Sequence, residues 1–217
     1  MSSGPKVRTQ PLGASAILGN PYSVFVLKEG YAYTDSDGNT RADGSITLLK
    51  GRHAVLVDTG TPWDKDYLLQ GLQAHGLEPE GVSFVVCTHG HSDHVGNLNL
   101  FPEATVIVSR DICRRGVYVQ HDFDAGLPYR LDDGLEVLPT PGHCAGDVSV
   151  LVRGTEEGTV VVAGDLFERE GDDEGGAGWR LLSENPELQA EQRQRVLALA
   201  DIIVPGHGPP FRVIKEA

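Results

Sequence analysis

Apolar residues in this chain come mostly in runs of four to six, cut off by glycine, proline or charge. Runs of that length, rich in valine and isoleucine, predict strands rather than helices. They fall at residues 23–28, 45–50, 53–58, 84–87, 105–109, 135–139, 148–152, 159–163 and 202–204. Gly51-Arg52, between the second and third, predicts a tight hairpin turn. Helical spacing is confined to a few stretches. Residues 65–75 carry Leu68, Leu69 and Leu72 on one face, residues 186–200 place Glu187 in a first turn, and residues 95–101 read as a shorter helix. Two sheets packed face to face, with helices over their outer faces, would bury these runs.

Polar residues cluster where the strands end. Thr88-His89-Gly90-His91-Ser92-Asp93-His94 follows the run at 84–87 and offers four metal-capable side chains, His89, His91, Asp93 and His94. Imidazole nitrogens and a carboxylate suit a borderline cation such as Zn²⁺. Strand ends are also where open α/β sheets place their sites. Distant partners are present as well. His143 sits in Pro141-Gly142-His143, Asp165 ends the run at 159–163, and His207 lies in Pro205-Gly206-His207-Gly208. A lone histidine after a strand is ordinarily solvated or packed. Five histidines and two carboxylates at strand ends share no structural purpose, and burying them without a cation leaves polar groups unpaired at a cost of several kcal/mol. Seven ligands suffice for two ions with one shared carboxylate.

This ordered set, together with Asp58 at the end of the run 53–58, resembles the metallo-β-lactamase fold superfamily from about Tyr22 to Phe211. The resemblance implies an αββα sandwich of two mixed sheets, a single domain over residues 1–217, and two zinc ions, although such ligands also accept iron or manganese. It implies one ion on His89, His91 and His143, a second on Asp93, His94 and His207, and Asp165 bridging them. Asp58 would buttress the ligand loop. Asp93 and His94 would serve catalysis, Asp93 by orienting an activated water. The zinc β-lactamases generally lack the bridging aspartate, and diiron oxidases of this fold carry glutamate in the place of His91. Glyoxalase II-like thioesterases share all seven ligands but add a helical domain, whereas ten residues follow His207. A narrower likeness is carried by Arg41-Ala42-Asp43-Gly44-Ser45, by Ala163-Gly164-Asp165-Leu166-Phe167-Glu168-Arg169, and by the residues from Val204 to Val213. It implies a di-zinc endoribonuclease in 3′-end processing of histone pre-mRNA, acting as a homodimer. The same ligands also suit a thioester or lactone hydrolase, or a persulfide dioxygenase with one iron.

Composition qualifies this picture. The 217 residues carry a formal charge of −13, which weakens non-specific RNA binding because phosphate contacts need Lys and Arg. Two divalent cations would still make the site itself positive. The apolar runs are too short to span a membrane, and Met1-Ser2-Ser3-Gly4-Pro5-Lys6 has no apolar core of a secretory signal. Three cysteines suggest no disulfide framework, so the expected compartment is the cytosol, with nuclear access open to a small chain. Residues 110–130 read as a less regular segment that mixes Arg110, Arg114, Arg115 and Arg130 with Tyr118, Phe123 and Tyr129, a pattern that can hold single-stranded nucleic acid, although Asp111, Asp122 and Asp124 offset much of the charge. Residues 168–178 are acidic and glycine-rich and read as a mobile loop, placed to act as a flap. His53, His75, His121 and Cys144 read as packing or surface residues.

Overall fold

The computed structural model describes residues 7–172 and 178–215; the reading of the amino-terminal six residues lies outside these. Two sheets form. In one, seven strands run in the order Val7–Pro11, Phe211–Lys215, Ile202–Pro205, Gly158–Gly164, Val148–Thr155, Leu135–Pro139 and Tyr129–Arg130. In the other, eight strands run in the order Val117–Val119, Asp111–Arg114, Thr105–Val108, Phe84–Cys87, Ala54–Val57, Ile46–Lys50, Ser23–Lys28 and Ala16–Ile17. A separate hairpin pairs Tyr31–Thr34 with Thr40–Asp43. The expected αββα sandwich is therefore present.

The inner faces meet through β-branched side chains. Val24, Val55, Val57 and Val86 of one sheet share a buried cluster with Val137, Val150, Val160 and Val204 of the other. Each outer face has its own helix. α1, Lys65–Ala74, lays Leu68 and Leu72 over Ile46, Leu48, Leu56 and Val85. α2, Pro186–Leu199, lays Val196 and Leu197 over Leu138, Val161 and Ile203. α2 begins where the Asn185 side chain accepts the Leu188 N–H, with Pro186 opening the first turn.

Strand direction positions the site. Most pairs are antiparallel, but Ala54–Val57, Phe84–Cys87 and Thr105–Val108 run parallel, as do Gly158–Gly164 and Ile202–Pro205. The carboxyl ends of these parallel strands lead into Asp58, His89–His94, Asp165 and His207.

Three expectations need correction. Residues 95–101 form only a 3₁₀ turn at Leu98–Leu100, because the Asn97 side chain donates to the Thr59 and Thr61 carbonyls and holds the segment as a loop. Residues 110–130 are not one irregular segment, since Asp111–Arg114 and Val117–Val119 pair as a hairpin. Within the same stretch Arg110, Arg115 and Arg130 each meet a carboxylate, of Asp124, Glu103 and Asp133 respectively, in line with the expected offset of its charge. Finally, the run 168–178 begins as fixed structure. Glu168 and Asp172 are buried, and the Glu168 N–H donates to Asp172 Oδ2 at 3.0 Å. Residues 173–177 lie outside the described residues.

Asp172 is in turn held by Arg193 of α2, through Nη1 at 2.9 Å and through Nη2 as well. Both side chains are buried, and the guanidinium also lies over the Phe167 and Trp179 rings. Removing one member of such a pair leaves an uncompensated buried charge. Arg193→Ala is expected to lower the unfolding free energy by about 3–5 kcal/mol. Urea denaturation checks this, and a loss below about 1 kcal/mol would mean water already screens the pair.

Candidate metal centre

The seven side chains singled out in the sequence converge. His89 Nε2 lies 2.8 Å from His91 Nδ1, and His143 Nε2 lies 3.2 Å from the same atom. Asp165 Oδ2 stands 3.5 Å from His89 Nε2 and 3.4 Å from His143 Nε2. Asp165 also meets His207 Nε2 through Oδ2 at 3.2 Å and His94 Nε2 through Oδ1 at 3.3 Å. Asp93 Oδ2 completes that half, 3.9 Å from His94 Nε2 and 3.8 Å from His207 Nε2. Asp165 thus stands between a group of three histidines and a group of two histidines and an aspartate.

These spacings fit cations better than hydrogen bonds. Two facing imidazole nitrogens can share only one proton, and three meet at His91 Nδ1. Ligands about 2.0–2.1 Å from a tetrahedral zinc stand about 3.3 Å apart, near most of the observed values. The buried atoms His94 Nε2 and Asp165 Oδ1 have no hydrogen-bond partner among the described residues, and both face the centre. A divalent ion in each half would satisfy them. The chemistry of the donor set therefore fits the expected two-ion arrangement.

Outer contacts fix which nitrogen turns inward in three of the rings, those of His94, His89 and His207. Asp58 Oδ2 accepts from His94 Nδ1 at 2.8 Å, and Asp58 also accepts the Thr88 N–H at 2.7 Å and the Thr88 hydroxyl at 3.0 Å. Thr88 Oγ1 then stands 3.1 Å from His89 Nδ1, and the Asp43 carbonyl 3.1 Å from His207 Nδ1. Asp58 reaches under the loop because its backbone takes φ of 60°, which aspartate tolerates better than most residues. The loops also latch onto each other. Ser45 N–H donates to the Gly206 carbonyl, and Gly206 N–H to the Gly164 and Phe167 carbonyls. A methyl group on Gly206 would collide with Asp165 Oδ1, so only glycine fits there.

Burial depresses the His89 and His143 imidazoles below their usual range, which keeps them neutral. His94 and His207 go the other way. Burial opposes their charge, but Asp165 outweighs it, joined by Asp58 for His94; His94 is held well above the ordinary value and His207 at about 9. Burial likewise opposes charge on Asp165, and His94 and His207 still hold it far below the usual carboxylate range.

Several contributors were not legible in the sequence. Gln189 of α2 is buried and donates from Nε2 to the Asp165 and Leu166 carbonyls, and Asp147 is buried and accepts the Cys144 N–H. Burial lifts the Asp147 carboxyl to about 8. Cys144 is half-buried with Sγ 3.7 Å from His91 Nε2, a closer involvement than packing, although burial pushes its thiol to about 12 and makes it a poor nucleophile. His75 and His53 do pack, against Phe25 and Phe84. A cavity of about 620 Å³ lies elsewhere, beside Val7–Thr9, Phe167 and Arg169–Asp172, and none of the seven residues lines it.

A model of the metallo-β-lactamase superfamily matches residues 39–112. Metallo-β-lactamase domain-containing protein 1 of Xenopus laevis is 57% identical over a stretch covering 99% of this chain and 92% of its own. The chain belongs to the metallo-β-lactamase superfamily. The protein of the same name from Homo sapiens is 49% identical, over 97% of this chain and 91% of its own. Among solved metallo-β-lactamase folds, an N-acyl homoserine lactone hydrolase with N-hexanoyl-L-homoserine at its catalytic metal centre superposes with a TM-score of 0.59. It covers 94% of this chain and 93% of its own, at 20% identity, a likeness of fold. Metallo-β-lactamase superfamily members are metal-dependent hydrolases, and this chain has His/Asp groups able to bind metal. No helix among the described residues is long and apolar enough to cross a membrane.

Proposed function

We propose that the protein is a di-zinc hydrolase that cleaves phosphodiester bonds in single-stranded RNA, with a second copy of the chain as its partner. The observation that carries this reading is Asp165, set within 3.2–3.5 Å of imidazole nitrogens from both halves of the centre. One ion would rest on His89, His91 and His143, the other on Asp93, His94 and His207, with Asp165 shared. Two such ions would supply Lewis acidity toward a phosphoryl oxygen and would lower the pKa of water. The protein's own part is to orient. His91 and Asp93 lie at the solvent edge of the site while His89, His94 and His207 are buried, so substrate approaches over His91 and Asp93. Asp93 would orient the attacking water. Asp58 keeps His94 from turning, through the 2.8 Å hydrogen bond.

A second reading is favoured by the arginine pairs. With Arg110, Arg115 and Arg130 matched to carboxylates and the chain at −13, a long polyanion meets little unpaired positive charge in residues 110–130. A small neutral ester, a thioester or lactone, needs none.

Metal analysis of the purified protein, paired with cleavage of a labelled single-stranded RNA before and after chelation and zinc reloading, separates these readings. Two zincs per chain with RNA cleavage lost on chelation and restored by zinc is the expected result. Two zincs with intact RNA, but turnover of a lactone or of S-lactoylglutathione, would establish the small-ester reading. One iron per chain would replace both with a mononuclear dioxygenase.

A further inference from the structure

One carboxylate beyond the seven expected ligands lies against the centre. Glu168 is buried, and its Oε1 has no hydrogen-bond partner among the described residues. It stands 3.9 Å from His143 Nδ1, an atom that is also buried and also without a partner. His143 is the exception among the five histidines. The outward nitrogens of His94, His89 and His207 face Asp58, Thr88 and Asp43 at 2.8–3.1 Å, and that of His91 faces Cys144 Sγ at 3.7 Å. Only His143 turns its outward nitrogen toward a group not yet at bonding distance.

The backbone of Glu168 cannot drift away. Its N–H is tied to Asp172, which Arg193 clamps, and its carbonyl accepts the His207 N–H at 2.8 Å. The side chain can still turn. Oε2 lies 3.9 Å from His207 Nε2, so the carboxylate sits between the two halves of the centre, and among the described residues Oε1 has no donor at bonding distance. Two buried polar atoms that both lack partners, one able to donate and one to accept, are each costly alone and satisfy each other after a small rotation.

We propose that Glu168 is the positioning residue of His143: its Oε1 accepts the Nδ1–H and thereby directs Nε2 at the metal. The proposal rests on the metal-centre reading above. It follows the general rule that a ligating imidazole is held by an acceptor on its other nitrogen, whose loss weakens metal binding by about 10–100-fold.

Zinc affinity of the metal-stripped full-length protein, measured by competition with a chromophoric chelator, tests it without reference to activity. Glu168→Leu is expected to bind about 10–100-fold more weakly than wild type. Glu168→Gln, whose amide oxygen accepts the same N–H, should recover most of that loss. In a His143→Ala background, Glu168→Leu should cost nothing further. Glu168→Leu with wild-type affinity would overturn the proposal, and so would an equal loss in Glu168→Gln. A loss undiminished in the His143→Ala background would also overturn it, since Glu168 would then act by ligation or on the fold alone. A wild-type protein that binds no zinc would sink the metal-centre reading itself, a distinct result. If Glu168→Leu does not fold, the imidazole proton spectrum of the zinc-loaded protein decides. A slowly exchanging His143 Nδ1–H that shifts in Glu168→Gln supports the assignment, and an unmoved or freely exchanging proton removes it.

Discussion

Asp165→Asn is expected to reduce hydrolysis by about 100-fold or more and to lower the bound metal from two ions per chain to one or none. The size follows from comparison: losing an acceptor one step removed from a metal costs about 10–100-fold, and a shared ligand should exceed that. Asparagine has nearly the same volume, and the backbone carbonyl at this position stays anchored by Gln189 Nε2 at 3.0 Å. The fold should therefore survive, and circular dichroism will show it. What goes is the charge and one acceptor oxygen, at a point where four imidazole nitrogens lie within 3.2–3.5 Å. A variant that keeps two ions and activity within about tenfold of wild type would show that Asp165 does not bridge, since even an indirect partner is expected to matter that much.

Zinc affinity should climb steeply with pH, and the climb should continue to about pH 9. In the metal-free protein His94 and His207 carry protons at neutral pH because Asp165 holds their imidazolium forms, that of His207 up to about 9. A metal must displace both protons. Raised values mean tighter protons, so competition is strongest at low pH and fades only as pH passes the raised value, instead of fading near the ordinary histidine value. Each displaced proton contributes up to about tenfold per pH unit, so two contribute up to about 100-fold. Chelator competition at pH 6.5, 7.5 and 8.5 measures the slope, and calorimetry in buffers of different ionisation enthalpy counts the protons. Affinity that is flat above pH 7 would contradict the assignment. In Asp165→Asn the slope should level off at lower pH, because the charge that raises both histidines is gone.

The parts of the fold legible in the sequence are those where burial imposes composition. Residues 84–87 and 159–163 face packing on both sides and read as unbroken apolar runs, while Val117–Val119 is an exposed edge strand and Val7–Pro11 is mostly exposed, so neither shows that signal. The hairpin of Tyr31–Thr34 and Thr40–Asp43 is polar for the same reason. Residues 95–101 have helical spacing, yet a side chain on Gly96 would collide with the Gly60 and Thr61 backbone, and that tertiary contact overrides local preference. At the site, the seven convergent residues were legible because histidine and aspartate at strand ends lack a structural alternative. Glu168 was not, since it opens an acidic, glycine-rich run whose composition resembles a loop. Gln189 and Arg193 occupy helix positions where polar residues normally meet water, and only packing against residues 165–172 shows that they are buried.

The centre draws on both sheets. His89, His91, Asp93 and His94 leave the eight-stranded sheet, whereas His143, Asp165 and His207 leave the seven-stranded one. Ions bound there would be cross-links between the two layers, closing long stretches of chain much as a disulfide does. Parting the layers would require emptying the centre first. The heat resistance of the folded protein would then follow the free metal around it, rising by about 2.7 kcal/mol when metal stands a hundredfold above its dissociation constant. A metal-starved chain would expose its valine-lined inner faces more readily, so supply of the ion would govern how long the protein lasts as well as what it can do.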